Sequence, residues 1–181
     1  MKKEILLIKG SPRKHGNTAA MADAFAKGAE ESGHTVTQVW LREKQIGDCL
    51  GCGVCQENGG NCVQKDDMIP LYEKMKAADV IVFASPVYFY TWTSLTKRMI
   101  DRTFAVDMIL QNKTFYLLSA GAAPEESFMQ TMTDSFRQYV GCFPAGGNQV
   151  GGILYAYGTN APDDAGKMPV MEEARQLGKS L

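Results

Sequence analysis

The chain has 181 residues, and 19 lysines and arginines nearly balance 20 aspartates and glutamates, so the formal net charge is −1. This balance argues against the basic face that nucleic-acid binding requires, and no apolar run approaches the roughly 20 residues that span a bilayer. We therefore predict a single domain over residues 1–181, without nucleic-acid or membrane partners and with a cytoplasmic address.

Apolar runs alternate with segments of helical period along the chain, which is typical of a parallel sheet covered by helices on both faces. Strands are predicted over five segments: Glu4 to Lys9, Thr35 to Leu41, Val80 to Ala84, Thr114 to Ser119 and Gln149 to Ala156. Helices are predicted over five segments: Asn17 to Ser32, a segment capped by Asp67, Ser94 to Thr103, Phe128 to Val140 and Val170 to Leu181. This alternation predicts an α/β, flavodoxin-like three-layer fold with the strand order 2-1-3-4-5.

The segment between the first strand and the first helix has the composition of a phosphate-binding turn. It reads Gly10-Ser11-Pro12-Arg13-Lys14-His15-Gly16-Asn17-Thr18. A helix N-terminus offers unpaired N–H groups and the positive end of its dipole, and the Ser, Asn and Thr side chains and Arg13 add donors and charge. No Walker A or G-x-G-x-x-G pattern is present, so a monophosphate is favoured over a dinucleotide. The alternative is an ordinary capped turn.

Two further loops are expected at the same sheet edge, where ligands of open α/β sheets bind. The third strand leads into Ser85-Pro86-Val87-Tyr88-Phe89-Tyr90-Thr91-Trp92, and Tyr88, Phe89 or Trp92 could stack on a flat ring. The fourth strand leads into small residues, Ser119-Ala120-Gly121-Ala122, which let a ring edge approach the backbone. Together with a phosphate turn these loops favour FMN, although the aromatic residues could instead pack under a helix or in a dimer contact. The predicted FMN contacts are Ser11, Arg13, Gly16, Asn17, Thr18, Pro86, Val87, Tyr88, Phe89, Ser119, Ala120 and Gly121.

Residues 42–66 form a long predicted loop that holds four of the five cysteines, Cys49, Cys52, Cys55 and Cys62. Their spacing, C-x2-C-x2-C-x6-C, is close to runs that ligate iron–sulfur clusters, so these four are candidate ligands of a [4Fe-4S] cluster. Zinc is less favoured because structural zinc sites prefer two separated C-x-x-C knuckles. The remaining alternative is that reduced thiols merely pack the loop. Cys142, far away in sequence, is expected to be a small core residue.

Taken together, several motifs resemble one known group of proteins. They are Gly10 to Arg13 with Gly16 to Thr18, the four cysteines followed by Lys65-Asp66-Asp67-Met68, Ser85 to Phe89, and Lys97 with Asp101-Arg102. Over about residues 4–105 the chain resembles the FMN-dependent NAD(P)H oxidoreductases of the flavodoxin superfamily, and among them most the iron–sulfur flavoproteins.

The resemblance implies FMN held at its phosphate and ribityl chain by Ser11, Arg13, Asn17 and Thr18, with its ring system at Pro86 to Phe89. It also implies a homodimer or homotetramer with the flavin near the subunit interface. We expect an enzyme that passes electrons from NAD(P)H through flavin, with or without a cluster, to a small-molecule or protein acceptor. No side chain is assigned as a catalytic acid or base. Two alternatives are a flavin and iron–sulfur electron carrier without turnover, and a phosphate-ligand sensor or structural oligomer.

Overall fold

The computed structural model describes residues 1–181 and contains one five-stranded parallel sheet with the order β2-β1-β3-β4-β5. The strands are β1 (Glu4–Lys9), β2 (Thr35–Trp40), β3 (Val80–Ala84), β4 (Thr114–Ala120) and β5 (Gln149–Ala156). The predicted fold class and strand order are confirmed, and the observed strand bounds differ from the predicted ones by one residue at most.

Helices cover both faces of the sheet. They are α1 (Asn17–Glu31), α2 (Val54–Glu57), α3 (Met68–Ala77), α4 (Ser94–Arg102), α5 (Gln130–Gly141) and α6 (Val170–Lys179). None of them combines the length and the apolar character needed to cross a bilayer. The cysteine-containing segment has structure of its own, because α2 and a 3₁₀ turn at Leu41–Glu43 lie in or beside it.

Two hydrophobic clusters, one on each face, explain why the central strands β1 and β3 are nearly continuous apolar runs. Ile5 and Leu7 of β1 pack with α1 and α6, while Leu6 and Ile8 pack with α3, α4 and α5. Successive side chains of a strand lie on opposite faces, so a strand buried on both faces needs an apolar residue at every position.

The strand register brings the site loops together. Lys9 pairs with Ala84, and Ala84 pairs with Leu118, so β1, β3 and β4 end at the same edge. Because β2 lies on the other side of β1, the order reverses between β1 and β3. The connections from these strands therefore diverge and leave a crevice, which is where ligands of such sheets bind.

Several local predictions were wrong. The Asp67 carboxylate does not cap α3, because it accepts a hydrogen bond from the Gln45 N–H, and Asp66 accepts from the Met68 N–H instead. Phe128 lies in a 3₁₀ turn before α5 and is half-exposed. Cys142 is exposed at the end of α5 rather than buried in the core.

Candidate functional site

Backbone hydrogen bonds beyond the strand ends fix the loops of the crevice. The Gly10 N–H donates to the Ala84 carbonyl at 2.8 Å, and the Val87 N–H donates to the Ala120 carbonyl at 2.9 Å. The Gly121 N–H continues the pattern to the next strand by donating to the Ala156 carbonyl. These bonds fix three loops to the neighbouring strand ends, as a preformed ligand site requires.

A cleft of about 210 Å³ opens between these loops. Its lining residues come from the loops after β1, β3, β4 and β5: Ser11, Arg13, Gly16, Asn17, Thr18, Pro86, Val87, Tyr88, Ala120, Gly121, Ala122, Thr159 and Asn160. The structure thus brings all the predicted contact residues to one cleft except Phe89 and Ser119. Arg13 and Tyr88 are its titratable lining residues, so a bound group would have to supply most of the chemistry.

The aromatic loop after β3 separates into an exposed tip and a buried end. Phe89 is 97% exposed and has a φ of +48°, at the tip of a tight turn in which Tyr88 and Thr91 exchange backbone hydrogen bonds. Tyr90 also has a positive φ, as both central residues of a type I′ turn do. This turn keeps Phe89 away from the cleft, and Tyr88 is the aromatic residue that lines it.

Trp92 and Ser119 have structural roles. Trp92 is buried, packs edge-on against Phe83 with ring centroids 5.7 Å apart, and donates its indole N–H to the Ser135 hydroxyl. The expectation that Trp92 could stack on a ligand ring was therefore wrong. Ser119 is fully buried and donates its hydroxyl to the Ser85 carbonyl at 2.6 Å, which ties β4 to the loop after β3.

One end of the cleft is formed by the first turn of α1. Gly16 precedes the helix, and no side chain caps it, so the first N–H groups of the helix are not satisfied by a capping side chain. The exposed Arg13 lies on the same turn. Two bonds brace the turn from β2 and the residues after it: Trp40 donates to the Ser11 carbonyl, and Arg42 donates to the Pro12 carbonyl, each at 2.8 Å. This end suits an anion.

The Asn17 side chain is occupied within the protein. Its amide nitrogen donates to the Ala161 carbonyl, and its amide oxygen accepts from the Ala165 N–H, both at 2.9 Å. The side-chain donor that the sequence suggested for a phosphate therefore fastens the loop after β5 to the turn after β1. The residue still lines the cleft.

Sequence reasoning missed Ala122, Thr159 and Asn160. Thr159 donates both its N–H and its hydroxyl to the Gly121 carbonyl, at 2.9 and 3.1 Å, which holds the loop after β5 against the cleft. Only the topology could have indicated this loop, because in a parallel sheet the carboxyl end of β5 lies at the same edge as the other strand ends. No residue motif marks this loop.

The first turn of α4 supports the cleft from below. The Thr93 hydroxyl donates to the Gly10 carbonyl at 2.7 Å, and the Thr96 hydroxyl donates to the Ser85 hydroxyl at 3.2 Å. A Cβ atom on Gly10 would lie 1.9 Å from the Thr96 Oγ1 atom. Gly10 is therefore required by this close approach of loop and helix.

The four clustered cysteines line a second cavity, together with Arg102 and the apolar residues Leu50, Val63, Phe104 and Ala105. Burial, followed by the nearby Cys62 and Cys52, raises the pKa of the Cys55 thiol. No group of three or more His, Cys, Asp or Glu side chains is arranged to hold a metal ion. The four thiols nevertheless line one cavity, and cysteine thiolates are the usual ligands of iron–sulfur clusters.

A buried ion pair closes the cysteine cavity on the α4 side. The Arg102 guanidinium binds the Asp66 carboxylate through two N–H groups at 2.6 and 3.1 Å, and it also donates to the Gly47 carbonyl. Burial raises the pKa of Asp66, but hydrogen bonds from Arg102, Gly47 and Met68 outweigh it and hold this pKa below its usual value. Asp66 and Arg102 therefore both remain charged at neutral pH.

Comparison with known proteins gives one consistent family. The sequence pattern of the NADPH-dependent FMN reductase family matches residues 3–152. An iron-sulfur flavoprotein from Methanosarcina thermophila is 32% identical over 177 residues, which cover 94% of this chain and 91% of that protein. An iron-sulfur flavoprotein from Archaeoglobus fulgidus is 45% identical over 95 residues, which cover 52% of this chain and only 43% of that protein.

Solved structures support the fold. The NAD(P)H:quinone oxidoreductase from Methanothermobacter marburgensis superposes with a TM-score of 0.78 at 16% identity, covering 99% of this chain and 96% of that one. An azoreductase from Bacillus anthracis superposes with a TM-score of 0.77 at 17% identity, covering both chains completely.

Proposed function

The chain belongs to the NADPH-dependent FMN reductase family and is an NAD(P)H-dependent FMN oxidoreductase, and we propose that FMN lies in the cleft at the strand ends. The observation that carries this proposal is the difference between the two ends of the cleft. Open N–H groups of α1 and the Arg13 charge lie at one end, and the backbone of the loops after β3 and β4 lies at the other.

Each part of FMN has matching residues. The phosphate would be held by the N–H groups of Gly16, Asn17 and Thr18 and by the Arg13 guanidinium, because an N-terminal helix turn favours a dianion. The isoalloxazine ring would lie along Pro86 to Tyr88 and Ala120 to Ala122, where the absence of large side chains in the second segment lets the ring approach the backbone.

Bound FMN supplies the hydride and electron transfer, and the protein residues supply position and electrostatics. Tyr88 covers part of the cleft, and Thr159 and Asn160 close it from the loop after β5. No lining side chain is assigned as a catalytic acid or base, and the cleft lining contains no carboxylate or histidine. The electrons would come from NAD(P)H and leave to a small-molecule or protein acceptor.

We further propose that Cys49, Cys52, Cys55 and Cys62 hold a [4Fe-4S] cluster. The supporting observations are the shared cavity of the four thiols and the presence of iron-sulfur flavoproteins among the relatives. Helix α4 joins the two sites, because Thr93 and Thr96 at its start support the flavin cleft and Arg102 at its end lines the cysteine cavity. Its nine residues span roughly 13 Å, a short path between flavin and cluster.

Large apolar side chains are exposed in two segments, Phe89 and Tyr90 in the loop after β3, and Phe104 and Met108 in the turns after α4. Exposed apolar side chains of this size are typical of subunit contacts, so we propose a homodimer or homotetramer with these side chains in the interface. We also propose a cytoplasmic location, because a reducing compartment keeps cysteine thiols available as cluster ligands.

The decisive experiment is FMN titration of Arg13→Ala beside Lys14→Ala, a matched cation of the same turn that does not line the cleft. A charge-assisted hydrogen bond contributes about 1.5–3 kcal/mol, and the exposure of Arg13 places the loss at the lower end, about tenfold in Kd. Lys14→Ala should bind FMN as the wild type does. Equal affinity in all three proteins would refute this phosphate site.

Metal analysis tests the cluster separately. Anaerobically prepared protein should contain about four irons per chain, the content of the proposed cluster. Cys52→Ser should lose the iron and keep its FMN, because Cys52 lies outside the flavin cleft. Wild-type protein that stays iron-free after anaerobic reconstitution would refute the cluster and leave the flavin proposal intact.

A further inference from the structure

Arg102 is the largest fully buried side chain of the protein, although it carries a charge. Its side chain is only 1% exposed. Beyond the bonds to Asp66 and Gly47, its Nη2 group donates to the Cys62 Sγ atom at 3.3 Å, and its Nε–H has no partner. Arginines are almost never fully buried unless they are paired, so each donor of this one calls for an acceptor.

The ion pair with Asp66 does not by itself explain this arrangement. A bidentate carboxylate and one carbonyl would neutralise and anchor the guanidinium without any contact to sulfur. The side chain instead lines the cavity of the four cysteines, donates to one of their sulfur atoms, and has a buried Nε–H group without a partner. An unpaired buried donor is costly, so an acceptor bound in the cavity that this side chain lines would stabilise the arrangement.

We infer that Arg102 is a positioning residue of the iron–sulfur site, whose N–H groups donate hydrogen bonds to the Cys62 sulfur and to the bound cluster and thereby raise the cluster's reduction potential. The inference rests on the cluster of the proposed function. When reduced flavin passes one electron to the cluster, the cluster gains one negative charge, part of which resides on its sulfur ligands. Donors to those sulfurs stabilise the reduced form more than the oxidised form, so reduction becomes easier.

A redox titration of the holoprotein followed by EPR tests the inference. Arg102→Lys keeps the positive charge but loses the planar fork of donors, so the ratio of reduced to oxidised cluster at a fixed potential should fall about tenfold, a shift of about −59 mV for one electron. The FMN potential and the iron content should not change. The matched control is Arg98→Lys, because Arg98 lies on the same helix but pairs with Asp48 and contacts no cysteine.

A second measurement uses the wild-type protein, so its result does not depend on whether a variant folds. Wild-type holoprotein labelled with ¹⁵N only in arginine guanidinium groups should show a ¹⁵N coupling in pulsed EPR of the reduced cluster. The coupling should persist in labelled Arg98→Lys. An iron-loaded wild type without this coupling, or an unshifted potential in a folded Arg102→Lys, overturns the inference and leaves the cluster standing. Iron-free wild-type protein overturns the cluster and the inference together.

Discussion

Replacing Asp66 with asparagine should destabilise the protein more than any other single loss of a carboxylate. The Asp66 side chain is 16% exposed and accepts two hydrogen bonds from Arg102, whose side chain is 1% exposed. Removing one partner of a buried ion pair costs about 3–5 kcal/mol, because the other charge stays buried without compensation. The partial exposure of Asp66 places the expected cost near ~3 kcal/mol.

For a chain of this length, each kcal/mol lowers Tm by about 2–4 °C, so Asp66→Asn should melt roughly 6–12 °C below the wild type. Urea unfolding of the FMN-loaded protein measures the free energy directly. Asp101→Asn is the matched control, since the Lys97–Asp101 pair is exposed and should contribute less than about 1 kcal/mol. A loss below about 1 kcal/mol for Asp66→Asn would show that Arg102 does not depend on this carboxylate, and the reasoning would fail.

Three further predictions concern the same framework. The difference in unfolding free energy between wild type and Asp66→Asn should be largest at neutral pH and should shrink as pH falls below about 4. The reason is that the folded-state pKa of Asp66 is lowered, so its stabilising contribution is lost when the carboxylate is protonated. Urea unfolding measured from pH 7 to pH 3 tests this. Gly10→Ala should cost about 1–3 kcal/mol in thermal unfolding, since its Cβ would lie 1.9 Å from the Thr96 Oγ1 atom, whereas Gly141→Ala, in open space at the end of α5, should not destabilise the protein. Asn17→Ala should cost about 1–2 kcal/mol and speed amide exchange in the loop after β5, because two hydrogen bonds to that loop are lost; unchanged exchange there would contradict this role.

The three central strands, β1, β3 and β4, were predictable because almost all of their positions are buried. In β1 both faces are covered by helices, so the residues from Ile5 to Ile8 are all apolar. The end of this apolar run therefore marks the end of the strand. The edge strand β5 was also found, since its bounds coincide with turn residues on both sides. The capping residues of helices were harder to predict than the strands, because neighbouring side chains can accept hydrogen bonds from the same first N–H groups of a helix. At α3, Asp66 and Asp67 are equally suited to capping, and only the position of Gln45 decides between them.

Residue types predicted which loops form the cleft, but not which side chains of those loops face it. Tyr88, Phe89 and Trp92 are equally suited to stacking on a flat ring, yet one lines the cleft, one lies on an exposed turn and one is buried in the core. Their separation results from a turn with two positive φ angles, which no glycine marks in the sequence. Asn17 lines the cleft, but its amide nitrogen donates to the carbonyl of Ala161, which lies 144 residues away in sequence. Such pairings are tertiary and leave no local pattern.

Helix α4 shows why the two sites should be studied together. Its first turn holds Gly10 and the loop after β3 through threonine hydroxyls, and its last residue holds the cysteine segment through Asp66 and Cys62. Helix α4 has nine residues, so its two ends lie roughly 13 Å apart. The separation of the cleft at the strand ends from the cysteine cavity is therefore set largely by the length of this helix. At its last residue, the Arg102 guanidinium anchors that end of the helix to the cysteine segment through bonds to Asp66 and Cys62.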